Sequence, residues 1–154
     1  MTGRSPLLKI IPPLWTLIFL AVALALHFAL APAPISYLAW GWPAAAVSIA
    51  GFLLALWGSY LFKKADTEIL PTSETNRALV TSGPFAYSRN PMYLGLVLLS
   101  LGIALAVGTW PMFLAPAALF LTLNFAFIPF EEEKMARLFG KEYADYRGGV
   151  RRWL

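Results

Sequence analysis

The charged residues of this 154-residue chain occur only before, between and after four long apolar stretches. The stretches cover roughly residues 11–31, 43–62, 91–107 and 110–129, and none of them contains Lys, Arg, Asp or Glu. A helix of about 20 apolar residues is what a hydrocarbon core about 30 Å thick requires. We therefore predict an all-α integral membrane protein with four transmembrane helices, formed as one domain over residues 1–154.

The placement of the charges also predicts the orientation. If each stretch crosses once, all 12 Lys and Arg and all 8 Asp and Glu fall on one face of the membrane. Lys and Arg favour the cytoplasmic side, so both termini, the loop 63–90 and the tail 130–154 are expected in the cytosol. The opposite face receives aromatic residues that prefer the membrane–water interface, namely Tyr37, Trp40, Trp42 and Trp110.

Composition excludes several kinds of site. The chain has no cysteine, which rules out disulfides and a cysteine nucleophile, and with one histidine we expect no metal site. The net charge of +4 comes from basic residues next to the apolar stretches, so anionic headgroups are expected partners and nucleic acid is not.

Two polar clusters flank the third and fourth stretches. The first is GPFAYSRNPMYLG over 83–95, where Asn90 is the expected N-cap of the third helix and Pro91 its first residue. The second begins at Glu131, within an expected cytosolic amphipathic helix over 131–147 that follows a break at Pro129. Because the turn at 108–111 is short, the two helices form an antiparallel hairpin, and both clusters meet at one membrane boundary.

The chemistry of this boundary suits an amphoteric ligand. The start of a helix offers free N–H groups and partial positive charge to a carboxylate. Glu131 and Glu132 are costly at a membrane boundary unless cations or hydroxyls pair with them. Tyr87, Tyr93 and Phe139 supply aromatic surface. S-adenosylmethionine carries a carboxylate, an ammonium, ribose hydroxyls, an aromatic base and a sulfonium, and it matches these groups.

Each feature also has an ordinary explanation. Glu131–Glu133 can be a solvated helix start, Arg89 a juxtamembrane anchor, and Tyr87 and Tyr93 interfacial aromatics.

The two clusters together resemble those of the isoprenylcysteine carboxyl methyltransferase and phospholipid methyltransferase superfamily, over about residues 80–154. The resemblance implies a membrane enzyme that binds S-adenosylmethionine under the cytosolic ends of the last two helices. Asn90 stands where carboxyl methyltransferases of this group usually have histidine, and in this it resembles the phospholipid and uncharacterised bacterial-type branches more. Carried over by position, the implied cofactor-binding residues are Tyr87, Arg89, Asn90, Pro91, Tyr93, Gly95, Glu131, Glu132, Phe139, Tyr143, Tyr146 and Arg151.

The leading hypothesis is thus a methyltransferase acting on a lipophilic acceptor that enters from the bilayer, either a lipid amine or a carboxylate such as isoprenylcysteine. Glu131, Glu132 and Arg89 are the candidate catalytic residues. Two alternatives remain open at this point. One is an NADPH-dependent sterol or isoprenoid reductase, in which Arg147, Arg151 and Arg152 would hold the 2′-phosphate. The other is a small non-catalytic membrane protein.

Overall fold

The computed structural model describes residues 6–35, 41–68 and 76–154. These ranges are helical apart from loops, turns and one isolated β-bridge, which confirms the expected all-α class. Tyr37 and Trp40, two of the expected interfacial aromatics, lie outside the described residues. The helices are α1 (Pro12–Leu30), α2 (Gly41–Lys64), α3 (Pro91–Val107), α4 (Trp110–Thr122) and α5 (Ile128–Gly149), with a π-helical turn at Leu123–Phe127 and 3-10 turns at Pro6–Lys9 and Gly83–Ala86.

The apolar helices show a multi-pass membrane protein. Three helices in the described ranges are long and apolar enough to cross a bilayer: α1, α2 and the continuous helix that begins at Trp110. The fourth apolar helix, α3, has 17 residues, the same bounds that the sequence predicts. At 1.5 Å per residue it is about 25 Å long.

The expected break at Pro129 is wrong. The chain runs through the π-helical turn directly into α5, and the helical path continues from Trp110 to a kink at Gly140. Pro129 directly follows the π-helical turn, in which the Ile128 N–H bonds to the Leu123 carbonyl five residues back, so the hydrogen-bond pattern is already shifted before the proline. The expected amphipathic helix at 131–147 is therefore an extension of the last apolar helix that is kinked at Gly140.

Helices α2 and α3 pack backbone against backbone. A Cβ atom on Gly95 would lie 2.5 Å from the Gly51 carbonyl oxygen and 2.7 Å from the Ala55 nitrogen, so only glycine fits there. Small residues permit this close approach between membrane helices. Gly58, also buried on α2, faces the Met92 side chain. This contact fixes the start of α3 beside the end of α2.

Further contacts hold the segments together at each end of the helix bundle. At one end, His27 Nδ1 and Thr109 Oγ1 are 3.0 Å apart, and the Ile35 N–H donates to the Gly108 carbonyl at 2.9 Å. At the other end, the rings of Tyr93 and Phe127 are 6.4 Å apart within an apolar cluster. The start of α3 and the beginning of α5 therefore meet at the end that carries the charged segments, as the predicted hairpin requires.

Candidate functional site

A pocket opens at this charged end, between the end of α2, the segment 76–92, the start of α3 and the first part of α5. Its cavity volume is about 80 Å³, and its mouth is open to the surface. One wall is apolar and contains Phe62, Leu79, Val80, Phe85 and Met92. The polar wall consists of Glu68, Asn76, Arg89, Asn90, Tyr93, Glu131, Glu132, Lys134, Tyr143 and Tyr146. We call this space the boundary pocket.

Glu132 is held between two arginines. Its Oε1 accepts from Arg89 Nη2 at 3.0 Å and from Arg152 Nε at 3.1 Å, and its Oε2 accepts from Arg152 Nη2 at 2.6 Å. The side chains of Arg89 and Glu132 are only 10% and 11% exposed. The cost of burying this carboxylate is offset because both of its oxygens are paired with arginine.

Two guanidinium nitrogens of Arg89 are available to a further acceptor. Its Nε and Nη1 are buried, and neither has a hydrogen-bond partner among the described residues. A buried guanidinium nitrogen without an acceptor is costly, so the arrangement favours an anion in the boundary pocket, which Arg89 lines.

Glu131 lies in a different environment from its neighbour. Its Oε1 accepts a 2.6 Å hydrogen bond from the Tyr93 hydroxyl. Glu131 lies beyond the last uncharged apolar stretch, 110–129, and therefore outside the predicted membrane-spanning part. Burial raises the pKa of the Glu131 carboxyl to about 7, although the hydrogen bond from Tyr93 and the charge of Lys134 act in the opposite direction. A carboxyl of this kind can exchange a proton near neutral pH.

The carboxy-terminal segment pairs with the chain just before α3. The Arg89 N–H donates to the Arg151 carbonyl at 2.9 Å, and the Asn90 side chain donates to the Arg152 carbonyl at 2.9 Å. Asn90 occupies the N-cap position of α3, but its side chain makes no capping hydrogen bond there. Asn90 therefore occupies the predicted N-cap position, but its side chain does not cap the helix, because its amide binds the carboxy-terminal segment.

A reversal within α5 brings the last part of that helix back to the pocket. Gly140 has φ 51° and ψ −118°, a conformation that breaks the helix locally. After this reversal, the Tyr146 hydroxyl donates to the Phe85 carbonyl at 2.7 Å, and Tyr143 is buried in the pocket wall. Without it, a straight α5 would carry both tyrosines away from the boundary.

Comparison with known proteins identifies the chain. A sequence model of the phospholipid methyltransferase family matches residues 38–142, more than half of the length. The chain belongs to the phospholipid methyltransferase family. Members are membrane enzymes that use S-adenosylmethionine, so the expected superfamily, enzyme class and cofactor are confirmed, and the reductase and non-catalytic alternatives are set aside. No curated protein and no solved structure matched the chain significantly.

The structure of this phospholipid methyltransferase brings most of the implied cofactor-binding residues together. Those that line the boundary pocket are Arg89, Asn90, Tyr93, Glu131, Glu132, Tyr143 and Tyr146.

Five of the implied residues do not line the pocket. The side chains of Tyr87 and Arg151 are exposed, and Phe139 is half-buried outside the pocket lining. Pro91 is fully buried, and Gly95 faces α2. Both of these position the start of α3.

Several polar residues of the site were not among the expected ones. Lys134 is buried and lines the pocket one helical turn after Glu131, a spacing that could have indicated it. Arg152 holds Glu132 although its neighbour Arg151 was the predicted residue. Asn76 comes from the long polar loop, and no spacing in the sequence points to it.

We predict that Gly140→Ala destabilises the site. Alanine at a positive φ is strained by about 1–3 kcal/mol even though the position has open space around it. The variant should unfold at a lower temperature in detergent, and the stabilisation by S-adenosylhomocysteine should shrink. Gly148→Ala in the same helix, also in open space and without positive φ, is the control and should unfold no earlier than wild type. Equal unfolding temperatures for the two variants would contradict the reversal.

Proposed function

We propose that the protein transfers a methyl group from S-adenosylmethionine to the amine of a phospholipid headgroup in the boundary pocket. The observation that carries the proposal is the different environment of two adjacent glutamates. Glu132 is saturated by Arg89 and Arg152, whereas Glu131 is hydrogen-bonded to the Tyr93 phenol. Glu132 thus orients the two arginines, and Glu131 is suited to an amine.

The residues present fit S-adenosylmethionine. The two unpartnered nitrogens of Arg89 can bind its carboxylate, helped by the partial positive charge at the start of α3. Asn76 Oδ1 is a buried acceptor without a partner among the described residues, suited to a hydroxyl or an ammonium. Phe62 and Phe85, whose rings are 5.4 Å apart, offer an aromatic surface to the adenine base.

An amine acceptor needs a proton acceptor before it can react. A headgroup ammonium has no lone pair, and one N–H proton must leave before the nitrogen can attack. Glu131 takes this proton, becoming a neutral carboxylic acid, and the acceptor becomes a neutral amine. Because its raised pKa lies near neutrality, Glu131 can accept a proton and later release it to water.

The chain contributes positioning and the exclusion of water. S-adenosylmethionine, when bound, would supply a methyl group on its sulfonium: the N–C bond to the acceptor forms as the C–S bond breaks in line, and S-adenosylhomocysteine leaves as a neutral thioether. The product is a methylated ammonium. Tyr93 keeps the Glu131 carboxyl in place through its 2.6 Å hydrogen bond. Holding two reactants in line supplies much of the rate enhancement of such a displacement.

The acceptor reaches the site from the bilayer. In the apolar wall, Phe62 belongs to the last turn of α2 and Met92 to the first turn of α3, so the wall lies at the ends of two apolar helices. Acyl chains cannot cross water without a large cost, and a lateral path keeps them in lipid while the headgroup enters the pocket.

The same arrangement requires four crossings with both termini in the cytosol. In support, α3 has no charged residue along its 17 residues, and the ends of α2 and α4 that flank the pocket adjoin the charged segments. A reporter fused after Leu154 should read cytosolic, as should one inserted into the 63–90 loop. A reporter after Leu154 that reads as external would refute this topology.

We predict that Glu131→Gln abolishes the pH response of amine methylation. In wild type, the rate should rise as pH increases through about 7, because deprotonated Glu131 is the form that accepts the proton. The variant should be slower by about 10²-fold or more and should lack this rise. The assay uses labelled S-adenosylmethionine with phosphatidylethanolamine vesicles, prenylcysteine analogues and water-soluble amines in parallel.

Glu133→Gln is the matched control, because Glu133 lies two residues after Glu131 and is exposed. It should behave as wild type. Label found mainly in prenylcysteine esters would favour a carboxylate acceptor, which needs no base. Label found only in water-soluble product would overturn lateral access.

A further inference from the structure

The carboxy-terminal arginine Arg152 lies beyond the residues that match the family, yet it completes the ionic cluster of the boundary pocket. Its guanidinium reaches both oxygens of Glu132, with Nε 3.1 Å from Oε1 and Nη2 2.6 Å from Oε2. This two-point contact is the geometry in which arginine orients a carboxylate.

Several contacts fix Arg152 in this position. Its carbonyl accepts from the side chain of Asn90 at 2.9 Å, and its Nη1 lies 3.4 Å from Asn124 Oδ1. The neighbouring Trp153 indole donates to the same Asn124 oxygen at 3.1 Å. Asn124 belongs to the π-helical turn between α4 and α5, and such turns are rare and frequent at functional sites.

The sharing of Glu132 determines what Arg89 can bind. If Glu132 paired with Arg89 alone, the pair would be neutral and the glutamate would compete with an incoming anion. Arg152 pairs with both oxygens of Glu132, and Arg89 contacts this glutamate only through Nη2. The Nε and Nη1 of Arg89 therefore stay without partners among the described residues. Two donor nitrogens of Arg89, a residue of the pocket lining, thereby stay available to an acceptor in the pocket.

We propose that Arg152 is a positioning residue for the cofactor: through Glu132 it orients Arg89 toward the cofactor carboxylate. The carboxy-terminal segment is then part of the cofactor site although it does not touch the cofactor. The proposal rests on the proposed function, because it takes the anion at Arg89 to be the carboxylate of S-adenosylmethionine. It also shifts to Arg152 the role that the resemblance gave to Arg151, whose side chain is exposed.

The test compares arginine variants by calorimetry with S-adenosylhomocysteine and by initial rates with labelled S-adenosylmethionine. Arg152→Ala should weaken binding about tenfold or more and raise the KM for S-adenosylmethionine similarly. The kcat at saturating S-adenosylmethionine should change little, because Glu131 and Tyr93 are untouched. Arg152→Lys should lie between, since lysine keeps the charge and loses the two-point contact.

Two further variants separate this role from general charge or stability. Arg137→Ala removes an exposed arginine of α5 and should leave binding unchanged. Arg151→Ala should weaken binding less than Arg152→Ala; an equal or larger effect would overturn the assignment. If Arg152→Ala does not fold, Asn124→Ala tests the same contact, and unchanged affinity in that variant would count against the proposal.

The outcomes also distinguish this inference from the proposed function. Wild-type protein that binds no S-adenosylhomocysteine would contradict the proposed cofactor site, and with it the role of Arg152. Wild-type binding with equal affinity in Arg152→Ala would leave the methyltransferase site intact and refute only the positioning role.

Discussion

The site depends on one buried carboxylate, Glu132, placed between two arginines that come from distant parts of the chain. Arg89 precedes α3 and Arg152 lies at the carboxy terminus, so this single interaction joins the start of α3, the beginning of α5 and the tail. Removing one partner from such a pair leaves a buried charge uncompensated, which is far more costly than losing an exposed ion pair. The arrangement therefore holds the polar wall of the pocket in one geometry.

The fold supplies this interaction through three local devices. The glycine contacts between α2 and α3 fix where α3 begins. The π-helical turn before α5 places Asn124 where it can accept from Arg152 and Trp153. The reversal at Gly140 returns Tyr146 to Phe85. Each device acts on the backbone of a helix, and together they turn an apolar bundle into a scaffold for a polar pocket at its charged end.

Much of this architecture was predictable because a bilayer constrains the sequence so strongly. The uncharged stretch at 91–107 gave the bounds of α3, and the short 108–111 turn brought Arg89 near Glu131 and Glu132. The rest depends on contacts with no local pattern. Asn90 reads as a cap, but its amide binds a carbonyl 62 residues away. Pro129 reads as a break, but the π-helical turn before it lets the helix continue. Arg151 and Arg152 have the same chemistry, and only the direction of the tail decides which one faces Glu132.

The claim that Arg89 binds the cofactor carboxylate is tested most directly by a thermodynamic cycle. One change in the cycle is made in the ligand and the other in the protein. Calorimetry would measure S-adenosylhomocysteine and its decarboxylated analogue against wild type and Arg89→Gln. The account predicts that removing the carboxylate weakens binding to wild type about ten- to a hundredfold, the range expected for a charge-assisted hydrogen bond. The same removal should have little effect on the variant. Equal losses in the two proteins would show that the carboxylate does not bind Arg89, and would contradict the account.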